Sequence, residues 1–175
     1  MRNCLNLGCG DTPPNMYKTR EWINIDIQGP YVDLKCNLHS MPFKDNSIKE
    51  IHCFHVLEHI DRVKYKLVLA EAYRVLEPEG LFLLEVPDFE VVIGKLWREY
   101  TGGRRDRERI RLHKIVINGK TEKPGMAHLM GFEEDLLRDN LKEVGFTKSI
   151  KRIKDNYPTA SHFRKCDVLC LSITK

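Results

Sequence analysis

Cys4-Leu5-Asn6-Leu7-Gly8-Cys9-Gly10 is the stretch from which the rest of this chain can be read. A short apolar run followed by two glycines one residue apart predicts a buried strand that ends in a sharp turn. With no Cβ at either glycine, the backbone can bend steeply and come close to a ligand. A strand–turn–ligand unit starting at residue 4 is expected to have no domain ahead of it.

Further strands are expected at 22–26, where Ile23, Ile25 and Ile27 alternate, and at 34–36, 48–54 and 81–86. The continuous apolar run Leu81-Phe82-Leu83-Leu84 suits a strand covered on both faces, as in a parallel sheet. Between the last two lies a helix. Tyr65, Val68, Leu69, Ala72, Val75 and Leu76 share one face of a 3.6-residue period, with Pro78 to stop it and Gly80 to turn the chain. A second helix is predicted over 133–144, with acids in its first turn, a Leu137, Leu141, Val144 stripe and Gly145 as its C-cap. Runs at 146–153 and 168–173, separated by Asp155-Asn156-Tyr157-Pro158, read as a terminal antiparallel hairpin. The fold class expected is α/β: a Rossmann-like, doubly wound, mostly parallel sheet with a C-terminal antiparallel hairpin.

Composition bounds the function classes. The 175 residues suit a single domain spanning 1–175, and 42% apolar with 31% charged content argues against disorder. A net charge of +4 is mild for a general nucleic-acid binder. No apolar run approaches the ~18–20 residues of a membrane span, and the N-terminus lacks the apolar stretch of a secretory signal. The six cysteines form no Cys-x-x-Cys pair and mostly sit in apolar runs. They are expected to be buried free thiols in a reducing, cytoplasmic setting.

Ligands of open α/β sheets bind beyond the carboxyl ends of the strands. The residues expected there are Gly8, Cys9 and Gly10; Asp26; Asn37 and Leu38; residues 55–59; and Pro87 with Asp88. Asp26 stands eighteen positions beyond Gly8, about the ~20-residue spacing at which an acid meets ribose hydroxyls. Pro13 replaces the third glycine of Gly-x-Gly-x-x-Gly, and the turn is too short for a helix aimed at a pyrophosphate. A ligand with a ribose but no phosphate therefore fits better than a dinucleotide.

With that pattern, the chain resembles the class I S-adenosylmethionine-dependent methyltransferases, most closely their small type 11-like branch. The resemblance rests on Leu5-Asn6-Leu7-Gly8-Cys9-Gly10, Trp22-Ile23-Asn24-Ile25-Asp26, Asn37-Leu38-His39-Ser40-Met41-Pro42-Phe43, His55-Val56-Leu57-Glu58-His59, Arg74-Val75-Leu76-Glu77-Pro78-Glu79-Gly80 and residues 128–146. It implies S-adenosylmethionine as cofactor. Gly8, Cys9 and Gly10 would pass its methionine part, and Asp26 would accept both ribose hydroxyls. Ile27 would pack on adenine, Asn37 and Leu38 would meet the adenine edge, and His55 with Val56 would floor the pocket. Asn6 stands where the family usually has an acid; its carbonyl can accept from the cofactor ammonium but brings no charge. Glu77-Pro78-Glu79-Gly80 replaces the family's Lys-Pro-Gly-Gly. The covering N-terminal helices of the family are missing, which leaves residues 88–127 as the expected lid or substrate insertion.

That insertion carries Arg98, Arg104, Arg105, Arg107, Arg109, Arg111 and Lys114. They read either as a solvated helix face with pairs such as Arg104–Glu108 or as a clamp for an anionic acceptor. A small anionic molecule is the favoured acceptor, with RNA and protein left open. Should the acceptor need a base, His128, His59 and Asp88 are the candidates. His55-x-x-Glu58-His59 also spells an inverted zinc-protease signature, which needs a helix to bring both histidines to one metal. The type 11-like resemblance accounts for the same letters in place, so no metal ligand is assigned. The two alternatives are a non-catalytic cofactor- or partner-binding protein of this fold and a zinc hydrolase. Oligomeric state has no signal in the sequence.

Overall fold

Cys4–Leu7, buried at every position, forms β1 near the middle of a seven-stranded sheet. The computed structural model describes residues 3–11, 15–19, 21–102, 117–119, 125–153 and 168–175. Parallel neighbours β2 (Trp22–Asp26) and β4 (Ile48–Phe54) flank β1, and β3 (Leu34–Lys35) lies outside β2. Beyond β4 come β5 (Leu76–Pro87), β7 (Val168–Thr174) and β6 (Ser149–Arg152), so the order is β3-β2-β1-β4-β5-β7-β6. β7 runs antiparallel to both β5 and β6, which makes the expected terminal hairpin. The order reverses between β1 and β4, and a crevice at such a switch point is where α/β sheets hold ligands.

One face of the sheet is apolar. Leu5, Leu7, Ile25, Ile51, Cys53, Phe82, Leu84 and Val86 join one buried cluster with α1 (Tyr65–Val75) and α3 (Glu134–Glu143). Val68, Leu69 and Ala72 of α1 and Leu137 and Leu141 of α3 supply the helix side, as their spacing predicts. The other face carries a hydrogen-bonded polar row. Asn6 Nδ2 donates to Asn24 Oδ1 at 2.9 Å, Asn24 Nδ2 donates to Tyr17 O at 3.0 Å, and Tyr17 Oη meets His52 Nδ1 at 2.7 Å. Buried polar groups persist when paired in this way.

Two elements differ from expectation. α1 stops at Val75, and β5 starts at once with Leu76 rather than at residue 81. Between the pairs Ile48↔Leu76 and Glu50↔Leu81 the register jumps, so Glu77-Pro78-Glu79-Gly80 bulges out of the ladder. The restriction that Pro78 places on Glu77 explains why the helix cannot run on. Residues 89–101 form α2 (Phe89–Thr101), begun by Asp88, whose carboxylate accepts from Val91 N. Phe89, Val92, Ile93, Leu96, Trp97 and Tyr100 recur at the same helical spacing as in α1, a signal the sequence reading passed over, although only Val92 of α2 is buried. Arg98 lies on α2, while Arg104, Arg105, Arg107, Arg109, Arg111, Lys114 and Asp155-Asn156-Tyr157-Pro158 fall outside the described residues.

Candidate functional site

The turn after β1 is made by backbone. Gly8 and Gly10 have φ of +64° and +60°, in the left-handed region that a Cβ disfavours. Gly8 also has no room for one, since an added Cβ would lie 2.3 Å from Val56 Cγ2, whereas Gly10 faces open space. Gly8 N and Cys9 N both donate to Ile25 O, at 2.8 and 3.1 Å, folding the turn onto the end of β2. There Asp26 takes Gly10 N at 2.9 Å on Oδ2 and its own neighbour Ile27 N at 2.7 Å on Oδ1. A carboxylate has about four acceptor sites, so both oxygens keep capacity for two hydroxyls. Ile27 is 64% exposed beside it, an apolar surface with no protein cover. Cys36 N donates to Asp26 O at 3.2 Å, which brings Asn37 and Leu38 next to the same turn. Burial, with the Asp26 charge nearby, pushes the Cys9 thiol up to about 11, so it stays neutral.

The turn after β4 is made of side chains. His55 takes a left-handed φ of +55° without being glycine, and Leu57–His59 forms a single 3-10 turn. The chain therefore never forms the helix that a His-x-x-Glu-His zinc motif requires. His55 instead lies between two buried acids, with Nδ1 3.2 Å from Glu58 Oε1 and Nε2 2.8 Å from Glu85 Oε1. Burial works against its charge, but hydrogen bonds and attraction from both glutamates win and raise its pKa to about 9. Val56 seats against Gly8, so the two turns touch.

His59 and His128 come together from distant parts of the chain, with ring centroids 4.8 Å apart. His59 Nδ1 lies 3.0 Å from Ala127 O, and Leu129 N donates to Glu58 O at 2.6 Å. Asp88 is otherwise engaged: 3% exposed, it caps α2 and meets Arg152 Nη2 at 2.7 Å. Asn6 is likewise turned into the polar row through Asn24. The sequence reading named Glu58 only within the inverted zinc signature and missed Glu85. For Glu85 a signal existed, a lone acid inside an apolar strand run, which a buried sheet strand tolerates only with a partner.

Comparison with known proteins bears on this arrangement. The family model described as "Methyltransferase domain" matches residues 5–84. No curated protein matches the sequence. Among solved structures, a SAM-dependent methyltransferase from Archaeoglobus fulgidus is similar over 99% of this chain and 86% of its own, with TM-score 0.65 and 14% identity. A 1,6-didemethyltoxoflavin N1-methyltransferase from Burkholderia thailandensis, solved with 1,6-didemethyltoxoflavin and S-adenosylhomocysteine bound, covers 98% of this chain and 70% of its own, with TM-score 0.61 and 14% identity. The protein in complex with the Haloferax volcanii Trm112 methyltransferase activator aligns over 98% of this chain and 81% of the matched one, at TM-score 0.60 and 15% identity. At these identities the likeness is one of fold. The matched domain and these neighbours indicate S-adenosylmethionine as the cofactor of this fold. Residues 5–84 therefore resemble a methyltransferase domain, and the chain as a whole has the fold of the S-adenosylmethionine-dependent methyltransferases.

Proposed function

We propose that this protein transfers a methyl group from S-adenosylmethionine to a small acceptor. The observation that carries the reading is the glycine turn held to Asp26 beside exposed Ile27, at the point where strand order reverses. In this reading Gly8, Cys9 and Gly10 pass the methionine part, and Asp26 accepts the ribose hydroxyls. Ile27 packs on adenine, Asn37 and Leu38 meet its edge, and His55 and Val56 close the floor. Asn6 supports the turn through Asn24 rather than by charge.

The sulfonium is already activated, so the chain's task is to align acceptor, methyl and sulfur and to exclude water. His128 and His59, at the mouth of the turn after β4, are better placed to take an acceptor proton than Asp88, whose oxygens serve α2 and Arg152. Residues 88–127 would cover the site, and their arginines favour an acceptor with phosphate or carboxylate groups. The Burkholderia neighbour with a bound small heterocycle supports an acceptor of small size. No helix among the described residues is long and apolar enough to cross a membrane, in keeping with a cytoplasmic enzyme.

Calorimetric titration with S-adenosylmethionine tests the site. The wild type is expected to bind one equivalent. Asp26→Ala removes two charge-assisted bonds to the ribose and should weaken binding by roughly 100-fold or more. A wild type that does not bind, or a variant that binds equally well, overturns the reading.

A further inference from the structure

The segment around His128 is locked against the turn after β4 without help from any ligand. His128 N donates to Asn118 O at 3.0 Å and Leu129 N to Glu58 O at 2.6 Å. Gly119 permits this, since a Cβ there would lie 2.7 Å from His128 N. The result is that one ligand atom each of Glu58, His59 and His128 lie within 4.8 Å of one another. Three atoms bound to one tetrahedral ion at about 2.1 Å stand about 3.4 Å apart, so small rotations of two half-buried imidazoles close the gap.

Two features show that this is more than proximity. The first is Glu58, whose side chain is 1% exposed and whose Oε2 is buried with no hydrogen-bond partner. A buried carboxylate oxygen left open in this way is costly unless something cationic meets it. The second is the tautomer of His59. Ala127 O can only accept, so the 3.0 Å contact puts a proton on Nδ1 and leaves the Nε2 lone pair facing away from it. A backbone carbonyl that fixes the tautomer is the usual outer partner of a metal-bound imidazole.

We infer that Glu58, His59 and His128 form a binding site for a divalent transition-metal ion of the zinc class. Two imidazole nitrogens and one carboxylate suit Zn²⁺ and its neighbours rather than Mg²⁺ or Ca²⁺, which prefer all-oxygen shells. Three protein ligands leave a coordination position open, as sites that bind a reacting molecule do. The oxygen of a hydroxyl or carboxylate on the acceptor is the ligand class for that position, and with the ion bound His59 and His128 serve as its ligands rather than as proton acceptors. This last step rests on the methyl-transfer reading, whereas the metal site itself does not.

The test uses the full chain, stripped with a chelator and titrated with Zn²⁺ and with Co²⁺ as a visible-absorption probe, in the absence of S-adenosylmethionine. One equivalent should bind and raise the melting temperature of the wild type, a readout that needs no variant. His59→Gln and His128→Gln should each lose more affinity than the about 10–100-fold typical of losing an outer partner, and should change the Co²⁺ spectrum. His55→Gln removes the contacts to Glu58 and Glu85 but none of the three ligand groups, and should keep the wild-type spectrum at saturation. The inference is overturned by absence of stoichiometric binding with no metal-dependent rise in melting temperature. It is equally overturned if His128→Gln binds as wild type, or if His55→Gln changes the spectrum as His59→Gln does. Metal binding and cofactor binding are measured separately, so failure of one leaves the other standing.

Discussion

The two turns that end the central strands β1 and β4 meet at Val56, and they are built on opposite plans. After β1 the working groups are backbone amides exposed by Gly8 and Gly10, with a single carboxylate, Asp26, from the adjacent strand. After β4 they are ionisable side chains, His55, Glu58 and His59, completed by Glu85 from β5 and His128 from far along the chain. A turn of the first kind depends on conformational freedom at two positions. One of the second kind depends on charges being balanced by partners that arrive from elsewhere.

The contrast can be broken most forcefully at Glu85. Glu85→Leu leaves Glu58 alone to balance the His55 imidazolium and strips the buried Nε2–H of its acceptor. It should cost about 3 kcal/mol or more in urea unfolding, since a buried donor on a charged ring is left unmet. A loss within experimental error would mean that this turn is not held by charge. Next in size is Gly8→Ala, which adds a left-handed strain and a Cβ 2.3 Å from Val56 Cγ2. Together these should cost about 2–4 kcal/mol. Combining it with Val56→Ala should recover part of the loss, whereas simple additivity would place the damage elsewhere. Gly10→Ala meets no atom within 4 Å and should cost only about 1 kcal/mol, for the backbone conformation alone.

The smallest effect concerns the base of the loop that follows β3. Glu71 accepts from Arg74 and from Met41 N, and the hydrogen bond from the Arg74 guanidinium, outweighing burial, holds its carboxyl below the usual range. A carboxyl lowered by folding stabilises the protein above its unfolded pKa and loses that contribution as pH falls through the folded value. Stability of the wild type should therefore decline below about pH 4.3, and Glu71→Gln should flatten that part of the curve. Parallel acid limbs for the two proteins would show that Glu71 carries no linkage.

The same contrast explains what the sequence could tell. Gly8-Cys9-Gly10, Asp26 and the alternation of strands and helices are local signals, and they led to the fold class and to the turn after β1, while the strand order came from the fold. Glu58 was marked only by the inverted zinc signature, and Glu85 looks like an ordinary acid until the fold brings both to His55, because no spacing rule links residue 85 to 55 and 58. His128 was marked only by its place ahead of α3, while its approach to His59 depends on Gly119 and a backbone bridge to Ala127. α2 is a different case. Its Phe89, Val92, Ile93, Trp97 and Tyr100 fall at helical spacing and could have been read, even though Ile93, Trp97 and Tyr100 are exposed in the fold. Asn6 could be read as a weaker version of an acid only because its partner, Asn24 on the next strand, was not visible from position 6 alone.

Asp26 has a consequence for the rate and cost of binding as well as for contact. By holding Gly10 N and Ile27 N before anything else arrives, it keeps the loop in a single conformation. In the proposed site a ribose then does not have to order this turn, and the entropy of that ordering has already been met during folding. Apparent affinity is not lowered by a fraction of turns in the wrong shape. The turn itself should therefore add no slow phase to association.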